Sequence, residues 1–278
     1  MGRDTVNLEK MFDVVGQASV VTGAASGIGL AYAEIMAECQ ARVTLMDKDL
    51  PLLTQEVERL RNMGNDVRSE HVDVTDRVRL DQAFECTAME YGRLDVVFVN
   101  AGIDAGPGFM TPEGSRNELG ALENVSPDQW DKVIAVNLTA AFHTLQAASL
   151  WMKRFGRGGC IIVTTSNAAG INESIVGTPY MPAKAGLAHL VRHAALELAE
   201  YGIRVNAIAP GAFQTNIAGG RLKIPADRKA FEQRSLQRRV PTTEEIKGLA
   251  LFLASPAAAY MTGSTVLIDG GATLGRIA

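Results

Sequence analysis

The stretch Ala18-Ser-Val-Val-Thr-Gly-Ala-Ala-Ser-Gly-Ile-Gly29 decides the fold, because it joins a strand pattern to a helix pattern through glycines. Gly23, Gly27 and Gly29 let the backbone turn tightly, so that a pyrophosphate can approach the free N–H groups and the positive dipole at a helix start. A glycine turn can also be purely structural. With a strand before it and a helix after it, this stretch predicts a dinucleotide site that includes Ser26 and Ile28.

Strand and helix patterns continue to alternate on the C-terminal side of this stretch. Six further apolar or β-rich runs follow the first, at residues 41–47, 67–74, 94–102, 159–166, 203–211 and 264–271. Helical patterns lie between them at residues 52–63, 78–91 and 130–152, and another begins near Thr242. This order predicts one α/β domain over residues 1–278, a Rossmann-like, doubly wound, seven-stranded parallel sheet with helices on both faces.

The composition and charge of the chain favour a globular protein and argue against several other classes. The 278 residues are 47% hydrophobic and 21% charged, which is typical of a globular chain. A net charge of −4 argues against a nucleic-acid binder. The N-terminal extension, residues 1–16, has no apolar core and is no secretory signal, and we find no 18-residue apolar run. We therefore expect a cytoplasmic protein without a membrane span, without a metal, and with three scattered cysteines as buried free thiols.

Two strand-end acids bear on the choice of dinucleotide. Asp47 lies 18 residues after Gly29, where a carboxylate can accept hydrogen bonds from both adenine-ribose hydroxyls and would repel a 2′-phosphate. Lys48 could instead hold such a phosphate, and Asp47 could be a mere turn residue. We expect NAD rather than NADP. Asp73 and Val74 end the third strand and could meet the adenine amine, although a strand-end aspartate is often only a cap.

The stretch TPYMPAK, residues 178–184, places a phenol and an ammonium on one helix face. Thr178 can be the N-cap and Pro179 the first helical residue, so Tyr180 and Lys184 stand at i and i+4. A phenol acting as a base near neutral pH needs its pKa lowered by about 3, or roughly 4 kcal/mol. An ammonium at about 5 Å supplies some 3 kcal/mol. The pair can form an acid–base group, although an isolated pair is more often a packed ring and a solvated lysine.

Several motifs in order carry a family resemblance. They are TGAASGIG at 22–29, NAG at 100–102, AVNL around Asn137, Ser166, Tyr180-x-x-x-Lys184 and PGAFQT at 210–215. From about Gln17 to the C-terminal IDGG, the chain resembles the short-chain dehydrogenases/reductases. Each motif is modest alone, but their order and spacing together are specific to that family.

The resemblance implies hydride transfer between NAD(H) and a secondary alcohol or ketone. Tyr180 would move the hydroxyl proton, Lys184 would lower the tyrosine pKa and bind the nicotinamide ribose, and Ser166 would orient the substrate oxygen. Asn137 would hold a water near Lys184 in a proton relay. Further cofactor contacts are implied at Asn100, Ala101, Gly102, Pro210, Gly211, Phe213 and Thr215.

One departure from the family pattern concerns the serine. Ser166 precedes Tyr180 by fourteen residues, one more than is usual in the family. The segment INESIVG, residues 171–177, could absorb the extra residue, and Thr165 is the alternative candidate.

Two segments are expected to set the substrate. The loop insertion at residues 104–124 follows a strand end and could be a pocket rim, a subunit contact or surface decoration. Residues 213–240 would form a lid. Seven cations lie in it, at Arg221, Lys223, Arg228, Lys229, Arg234, Arg238 and Arg239. They could be a solvated face or could receive a substrate carboxylate. Ile171, Met181 and Phe213 suggest a partly apolar pocket.

Other functions remain open at this point. An NAD-using isomerase or dehydratase usually carries a larger substrate domain, and a cofactor-binding regulator would not need Ser166, Tyr180 and Lys184 intact. We also expect a homotetramer or homodimer that binds a small alcohol or ketone. By resemblance its interfaces would use residues 130–152 and 179–200 at one two-fold axis and 264–271 near another.

Overall fold

The computed structural model describes residues 7–275, apart from the side chain of Ala218. Seven parallel strands form one sheet in the order β3-β2-β1-β4-β5-β6-β7. The strands are β1 (Ala18–Thr22), β2 (Arg42–Asp47), β3 (Val67–His71), β4 (Val96–Val99), β5 (Gly159–Thr164), β6 (Ile203–Pro210) and β7 (Thr265–Ile268). This confirms the predicted fold. The strand order reverses between β1 and β4, and ligands bind at such a point, beyond the carboxyl ends of the strands.

Helices cover both faces of the sheet. They are α1 (Leu8–Met11), α2 (Gly27–Glu38), α3 (Leu50–Asn62), α4 (Arg77–Tyr91), α5 (Pro127–Ile134), α6 (Ala141–Phe155), α7 (Tyr180–Leu198), α8 (Pro225–Glu232) and α9 (Glu244–Ala254). One apolar cluster joins the sheet to α4, α6 and α7, and a second joins it to α2, α3 and α9. Most of the strands are buried, as expected for a sheet that is covered on both sides.

The predicted helix over residues 130–152 begins earlier and is interrupted. The sequence Ser126-Pro-Asp-Gln129 predicts a capping box with proline at the first helical position. Ser126 Oγ accepts the Gln129 N–H at 3.1 Å and Pro127 is the first helical residue, as this motif predicts. The Gln129 side chain does not complete the capping box, because it donates to the Ala105 carbonyl. A π-helical turn, Ala135–Ala140, then separates α5 from α6. Such turns insert an extra residue into a helix, which sequence patterns do not reveal.

The start of α7 differs from the prediction by one residue. Tyr180 N–H donates to the Gly177 carbonyl at 3.1 Å, so a turn closes before the helix begins. Pro179 occupies the cap position, and no side chain caps the helix. The expectation that Thr178 is the N-cap was therefore wrong, because the Gly177 carbonyl already serves the first N–H of the turn.

Two expectations about exposure also need correction. The helical stretch Pro127–Phe155 is long and apolar enough to cross a membrane by length and composition, although we expected no such run. In the fold its apolar residues, including Leu145 and Trp151, pack in the core against the sheet, as a core helix does. Among the three free cysteines only Cys160 is buried, while Cys86 is exposed, because it lies on the outer face of α4.

Candidate active site

A crevice of about 500 Å³ opens where the strand order reverses. It brings together nearly all of the predicted site residues: Gly23, Ser26, Gly27, Ile28, Asp47, Asp73, Val74, Asn100, Ala101, Gly102, Ser166, Tyr180, Lys184, Pro210, Gly211, Phe213 and Thr215. Gly29 and Asn137 lie behind its wall and are buried. The carboxyl ends of the strands and the start of α2 therefore converge on one cavity.

The glycine loop shapes one end of this crevice. Gly23 has φ +67°, and a Cβ there would lie 2.9 Å from the Ala101 Cα. A Cβ on Gly29 would overlap the Gly23 carbonyl, so the loop can fold against α2 only with glycine at both places. Ser26 is extended and its side chain makes no capping bond. The first N–H groups of α2 are thus left for an anion in the crevice.

The two strand-end acids line the crevice and also hold local backbone. Asp47 Oδ2 accepts the Ala25 N–H at 2.9 Å, which ties the end of β2 to the glycine loop. Asp73 Oδ1 accepts the Thr75 N–H at 3.0 Å and its hydroxyl at 2.7 Å. These bonds, the one from the Thr75 backbone first, lower the pKa of Asp73. Each acid therefore has the local structural role that the sequence left open, in addition to its place at the cavity.

Asn100 joins three strands beneath the crevice. Its Nδ2 donates to the Thr22 carbonyl at 3.1 Å, and its Oδ1 accepts the Thr164 hydroxyl at 3.0 Å. The carboxyl ends of β1, β4 and β5 are bound together by this one side chain. Both ends of the Asn100 amide are therefore bonded within the protein. The NAG motif faces the cavity mostly with its backbone.

Ser166, and not Thr165, faces the tyrosine. Ser166 follows β5 and lines both cavities with Tyr180, close enough for its hydroxyl to lower the pKa of the phenol. Its Oγ accepts the Ala168 N–H at 3.1 Å and its hydroxyl donates to Asn167 Oδ1 at 3.3 Å. The Thr165 hydroxyl points the other way and donates to the Ile208 carbonyl of β6 at 3.1 Å. The spacing of fourteen residues therefore still brings Ser166 to Tyr180.

Burial opposes ionisation at both Tyr180 and Lys184. It raises the pKa of Tyr180 to about 12, with the Ser166 hydrogen bond lowering it and Asp104 raising it. Tyr180 nonetheless keeps some solvent contact where it lines the crevice. The pKa of the buried Lys184 falls to about 8 through desolvation. In the protein without cofactor, loss of hydration is the largest influence on the pKa of Tyr180. The lowering of that pKa by the Lys184 ammonium stays a prediction for the enzyme with its cofactor bound.

Lys184 is anchored to the sheet beside the tyrosine. Its Nζ donates to the Thr164 carbonyl at 2.9 Å and lies 5.7 Å from the Tyr180 ring centroid. A Cβ on Gly102 would lie 3.7 Å from this Nζ and 3.1 Å from Asn137 Oδ1. The lysine and the asparagine thus meet at one small gap, which is the neighbourhood that the family resemblance predicted.

The Asn137 side chain is bonded to the main chain next to the NAG motif. It lies fully buried in the π-helical turn. Its Oδ1 accepts the Ile103 N–H at 2.8 Å and its Nδ2 donates to the Ile103 carbonyl at 2.9 Å. Both ends of the amide are used on one residue, so the side chain clamps the chain after the NAG motif. The relay role remains a prediction. We call Asn100, Asn137, Ser166, Tyr180 and Lys184 the catalytic floor.

A second cavity of about 570 Å³ adjoins the crevice. Asp104, Ser166, Tyr180 and Phe213 line both spaces. Its other walls come from residues 171–177, from residues 213–240, for which we keep the name lid, and from residues 267–272 at the end of β7 and beyond it. We call the first two of these segments the substrate wall. Ile171 and Met181, expected at the pocket, do not line it, whereas Ile175 and Val176 do. The contribution of residues 267–272 was missed, because the sequence marks them only as a strand end.

The loop insertion 104–124 supports this wall from outside. Pro107 pairs in antiparallel fashion with Val176, and Met110 N–H donates to the Ser174 carbonyl at 3.0 Å. The Gly108 N–H donates to the Ile175 carbonyl at 3.3 Å. The insertion and the segment between Ser166 and Tyr180 thus form one small ribbon at the rim of the cavity.

Comparisons with known proteins agree with this geometry. A family model described as enoyl-(acyl carrier protein) reductase matches residues 23–273. Cyclohexanol dehydrogenase of Rhodococcus sp. (strain TK6) is 32% identical over 270 residues, which cover 93% of this chain and 96% of that one. Cis-4-hydroxycyclohexanecarboxylate dehydrogenase of Sinomonas cyclohexanicum is 36% identical over 259 residues, covering 92% and 96%.

Solved structures are also similar to this chain over nearly its whole length. A short-chain type dehydrogenase/reductase from Mycobacterium marinum superposes with a TM-score of 0.87 at 31% identity, covering 97% of this chain and 100% of that one. NADPH-dependent 3-quinuclidinone reductase from Rhodotorula rubra superposes with a TM-score of 0.83 at 32% identity, covering 99% and 98%. The likeness extends over nearly the whole chain.

Proposed function

This chain belongs to the short-chain dehydrogenase/reductase family of nicotinamide-dependent oxidoreductases, and we propose that it interconverts a secondary alcohol and a ketone by hydride transfer with NAD(H). One observation carries the proposal: Tyr180 and Ser166 line both cavities where these meet, and Lys184 lines the crevice beside Tyr180. The cofactor would fill the crevice, and the substrate would fill the second cavity.

The residues of the crevice fit a dinucleotide. The bare start of α2 and the close approach of Gly23 to Ala101 leave room for a pyrophosphate against backbone N–H groups. Asp47 and Asp73 stand at the far end, where an adenosine would lie, and Lys184 stands at the near end. When bound, the oxidised nicotinamide would accept the hydride and bring a positive charge to the site.

Tyr180 is the acid–base group in this mechanism. In ketone reduction its hydroxyl donates a proton to the substrate oxygen, a role that suits a phenol whose pKa lies near 12. In alcohol oxidation it must first lose that proton, which nearby positive charge favours. Ser166 holds the same substrate oxygen by a second hydrogen bond. Lys184 contributes charge beside the phenol, and Asn137 fixes Ile103 next to it.

We propose NAD over NADP on the evidence of Asp47. Its carboxylate lines the crevice and is already fixed by the Ala25 N–H, so it would meet the adenine ribose as a negative charge. A 2′-phosphate at that position would be repelled. Lys48 also lines the crevice and is the residue that could offset this repulsion. A relative that is NADPH-dependent by name shows that the fold alone does not decide the cofactor.

A homotetramer or homodimer remains our proposal for the assembly. Its support is apolar surface on the elements that the family resemblance assigns to interfaces. Phe142 and Leu150 on α6 and Leu196 on α7 are 40%, 48% and 80% exposed, and Leu267 on β7 is 52% exposed. Exposed apolar patches of this kind mark interaction sites. Light scattering that gives the mass of one chain at micromolar concentration would contradict it.

The activity can be tested with a matched panel of alcohols. The two curated relatives direct the choice to ring alcohols, so the panel begins with cyclohexanol and cis-4-hydroxycyclohexanecarboxylate, followed by 3-hydroxybutyrate and acyclic secondary alcohols. Each is offered with NAD and with NADP while the absorbance of the reduced nicotinamide is followed. We expect turnover of at least one alcohol with NAD at a higher kcat/KM than with NADP. No turnover with either cofactor across a broad panel, in either direction, would contradict the proposal.

A further inference from the structure

We propose that Arg221 is an anchor for a carboxylate on the substrate, so that the preferred alcohols are hydroxy acids. This inference rests on the proposed function and deepens it. Seven cations lie in the lid, but three of them line the second cavity: Arg221, Arg234 and Arg239. What separates these three is whether a carboxylate of the chain already neutralises them.

Two of the three lining arginines are already paired. Arg234 Nη1 lies 2.9 Å from Glu173 Oε2, and Arg239 binds Glu245 through both of its terminal nitrogens. Outside the cavity lining, Arg228 pairs with Glu232 at 2.8 Å. These arginines have internal partners and hold the wall together, so an incoming anion would have to compete with a carboxylate that is already in place.

Arg221 is different from the other two arginines that line the cavity. Among residues 7–275 no carboxylate lies within ion-pair distance of it, whereas Arg234 and Arg239 are paired, and its Nε is buried without a hydrogen-bond partner. Its Cζ lies 5.4 Å from the centroid of the Phe231 ring, which holds the guanidinium in place by a cation–π contact. A half-buried, positioned and unsatisfied guanidinium at a cavity wall is a receptor for a planar anion, because its donors match a carboxylate in a two-bond fork.

The surrounding charges set the direction of the ligand. Asp104 lines the junction of the cavities near Tyr180 and already acts on that tyrosine, so a substrate carboxylate would be repelled from the reacting end. Asp269 also lines the cavity, and its two carboxylate oxygens already accept hydrogen bonds from the N–H groups of Gly271 and Thr273. The second cavity thus has a negative group, Asp104, near its junction with the crevice and an unpaired positive group at Arg221. A substrate with its hydroxyl at one end and a carboxylate at the other fits this polarity.

Apolar side chains fill the space around the anchor. Ile217, Leu222 and Phe231 line the cavity beside Arg221, and Phe213 lines it next to the crevice. Few waters can compete in such surroundings, which strengthens a charge-assisted hydrogen bond. We therefore expect the carbon skeleton between hydroxyl and carboxylate to be apolar, such as a saturated ring or a short aliphatic chain.

The test compares each acid of the panel with its methyl ester, which keeps the shape and removes the charge. In the unmodified enzyme we expect kcat/KM to favour cis-4-hydroxycyclohexanecarboxylate over its ester by a factor on the order of 10 to 100, the range for a hydrogen bond to a charged group. Arg221→Met should bring this ratio close to one, mainly through KM, because an anchor that binds the unreacting carboxylate acts alike on substrate and transition state. Arg221→Lys should keep part of the preference. Arg228→Met, which removes a lid arginine outside the cavity lining, should keep all of it.

A second measurement does not need turnover. Cyclohexanecarboxylate, which has no hydroxyl to oxidise, is titrated calorimetrically into the NAD-loaded protein and into the Arg221→Met variant. We expect binding to the first and binding weaker by at least tenfold to the second. Turnover of neutral alcohols with no preference for the acids, or equal binding of cyclohexanecarboxylate to both proteins, overturns the anchor and leaves the proposed function standing. Absence of any turnover contradicts the proposed function, and the calorimetric comparison then still decides the anchor.

Discussion

The side chains of the catalytic floor and of the substrate wall make different kinds of bond. Polar side chains of the floor bind the main chain: Lys184 binds the Thr164 carbonyl, Asn137 binds Ile103, and Asn100 binds the Thr22 carbonyl. In the wall, beside the main-chain bonds to the loop insertion, the side chains form partly exposed ion pairs such as Arg234–Glu173 and Arg239–Glu245. Changes of side chain in the wall leave the main-chain frame of the floor untouched. The chemistry can therefore stay constant while the substrate preference changes.

The largest effect is expected from Tyr180→Phe, which removes one hydroxyl from the floor and leaves the ring to pack. Turnover should fall by a factor on the order of 10² to 10⁴ or more, because proton transfer loses its donor. NAD binding and the melting temperature should change little. Tyr201→Phe is the matched control, since Tyr201 is a surface tyrosine that is 43% exposed. If the folded, NAD-binding Tyr180→Phe protein works at near the original rate, the floor is not where the chemistry occurs.

The pH dependence of the oxidation rate is a second test of Tyr180 as the acid–base group. Alcohol oxidation needs the phenolate, and the pKa of Tyr180 is about 12 in the protein without cofactor. The oxidation rate should therefore rise through neutral and alkaline pH, and ketone reduction should not share this rise. Lys184→Met should move the rising limb to higher pH, because a positive charge beside the phenol is lost. A limb that stays in place would remove Lys184 from the control of Tyr180.

Lys184→Met should also separate activity from stability. Burial lowers the pKa of Lys184 from 10.5 to about 8, a cost of about 3 kcal/mol at neutral pH. The lost bond to Thr164 returns about 1 kcal/mol of that. We expect turnover to fall on the order of 10²-fold while stability at pH 7 rises by about 2 kcal/mol, measured by denaturant unfolding.

The sign of the pH effect on stability provides the control for that experiment. Between pH 8 and 10.5 the unfolded chain binds more protons at Lys184 than the folded chain does. Wild-type stability should therefore gain from this residue as pH rises through that range, and the variant should lack the gain. Equal slopes in the two proteins would mean that Lys184 does not titrate there.

A smaller effect is expected from Asp47→Ala, at the far end of the crevice from Lys184. The Michaelis constant for NAD should rise on the order of tenfold, and the discrimination against NADP should fall, because the charge that would repel the 2′-phosphate is gone. Asp47→Asn separates two causes, since it can still accept the Ala25 N–H without the charge. NADP use by the asparagine variant would identify repulsion as the cause. Equal use of both cofactors by the unmodified protein would refute the proposed preference.

The smallest effect is expected from Arg234→Gln, which breaks the ion pair that ties the lid to residues 171–177. The two side chains are 23% and 22% exposed, so stability should fall by no more than about 1 kcal/mol. The KM for substrate should rise severalfold, because the wall loses one tie, and KM for NAD should not follow. Arg228→Gln, whose pair with Glu232 lies within α8, is the control. A loss of kcat with an unchanged KM would place Arg234 with the floor and break the comparison.

The sequence predicted the floor far better than the wall, for a physical reason. The glycines at 23 and 29 and the pair Tyr180 and Lys184 obey local rules of turns and helices, and the order of these motifs along the chain carries the family resemblance that links them to Ser166 and Asn137. The wall depends on long-range partners. Nothing local pairs Pro107 with Val176 or brings Arg234 to Glu173, and nothing local distinguishes the unpaired Arg221 from six other cations.

The π-helical turn at Ala135–Ala140 has a consequence for insertions and deletions. The turn holds one residue more than an α-helix of the same path would need, and each helical residue advances the rotation by about 100°. A deletion of one residue here would produce a more regular, continuous helix from α5 to α6. In that regular helix one of two hydrogen bonds would be lost. Either Asn137 would turn away from Ile103, or α5 would turn so that the Gln129 side chain no longer reaches the Ala105 carbonyl. At this position the geometry of the site depends on the number of residues in the turn. A substitution scan keeps that number constant and would therefore never detect this dependence.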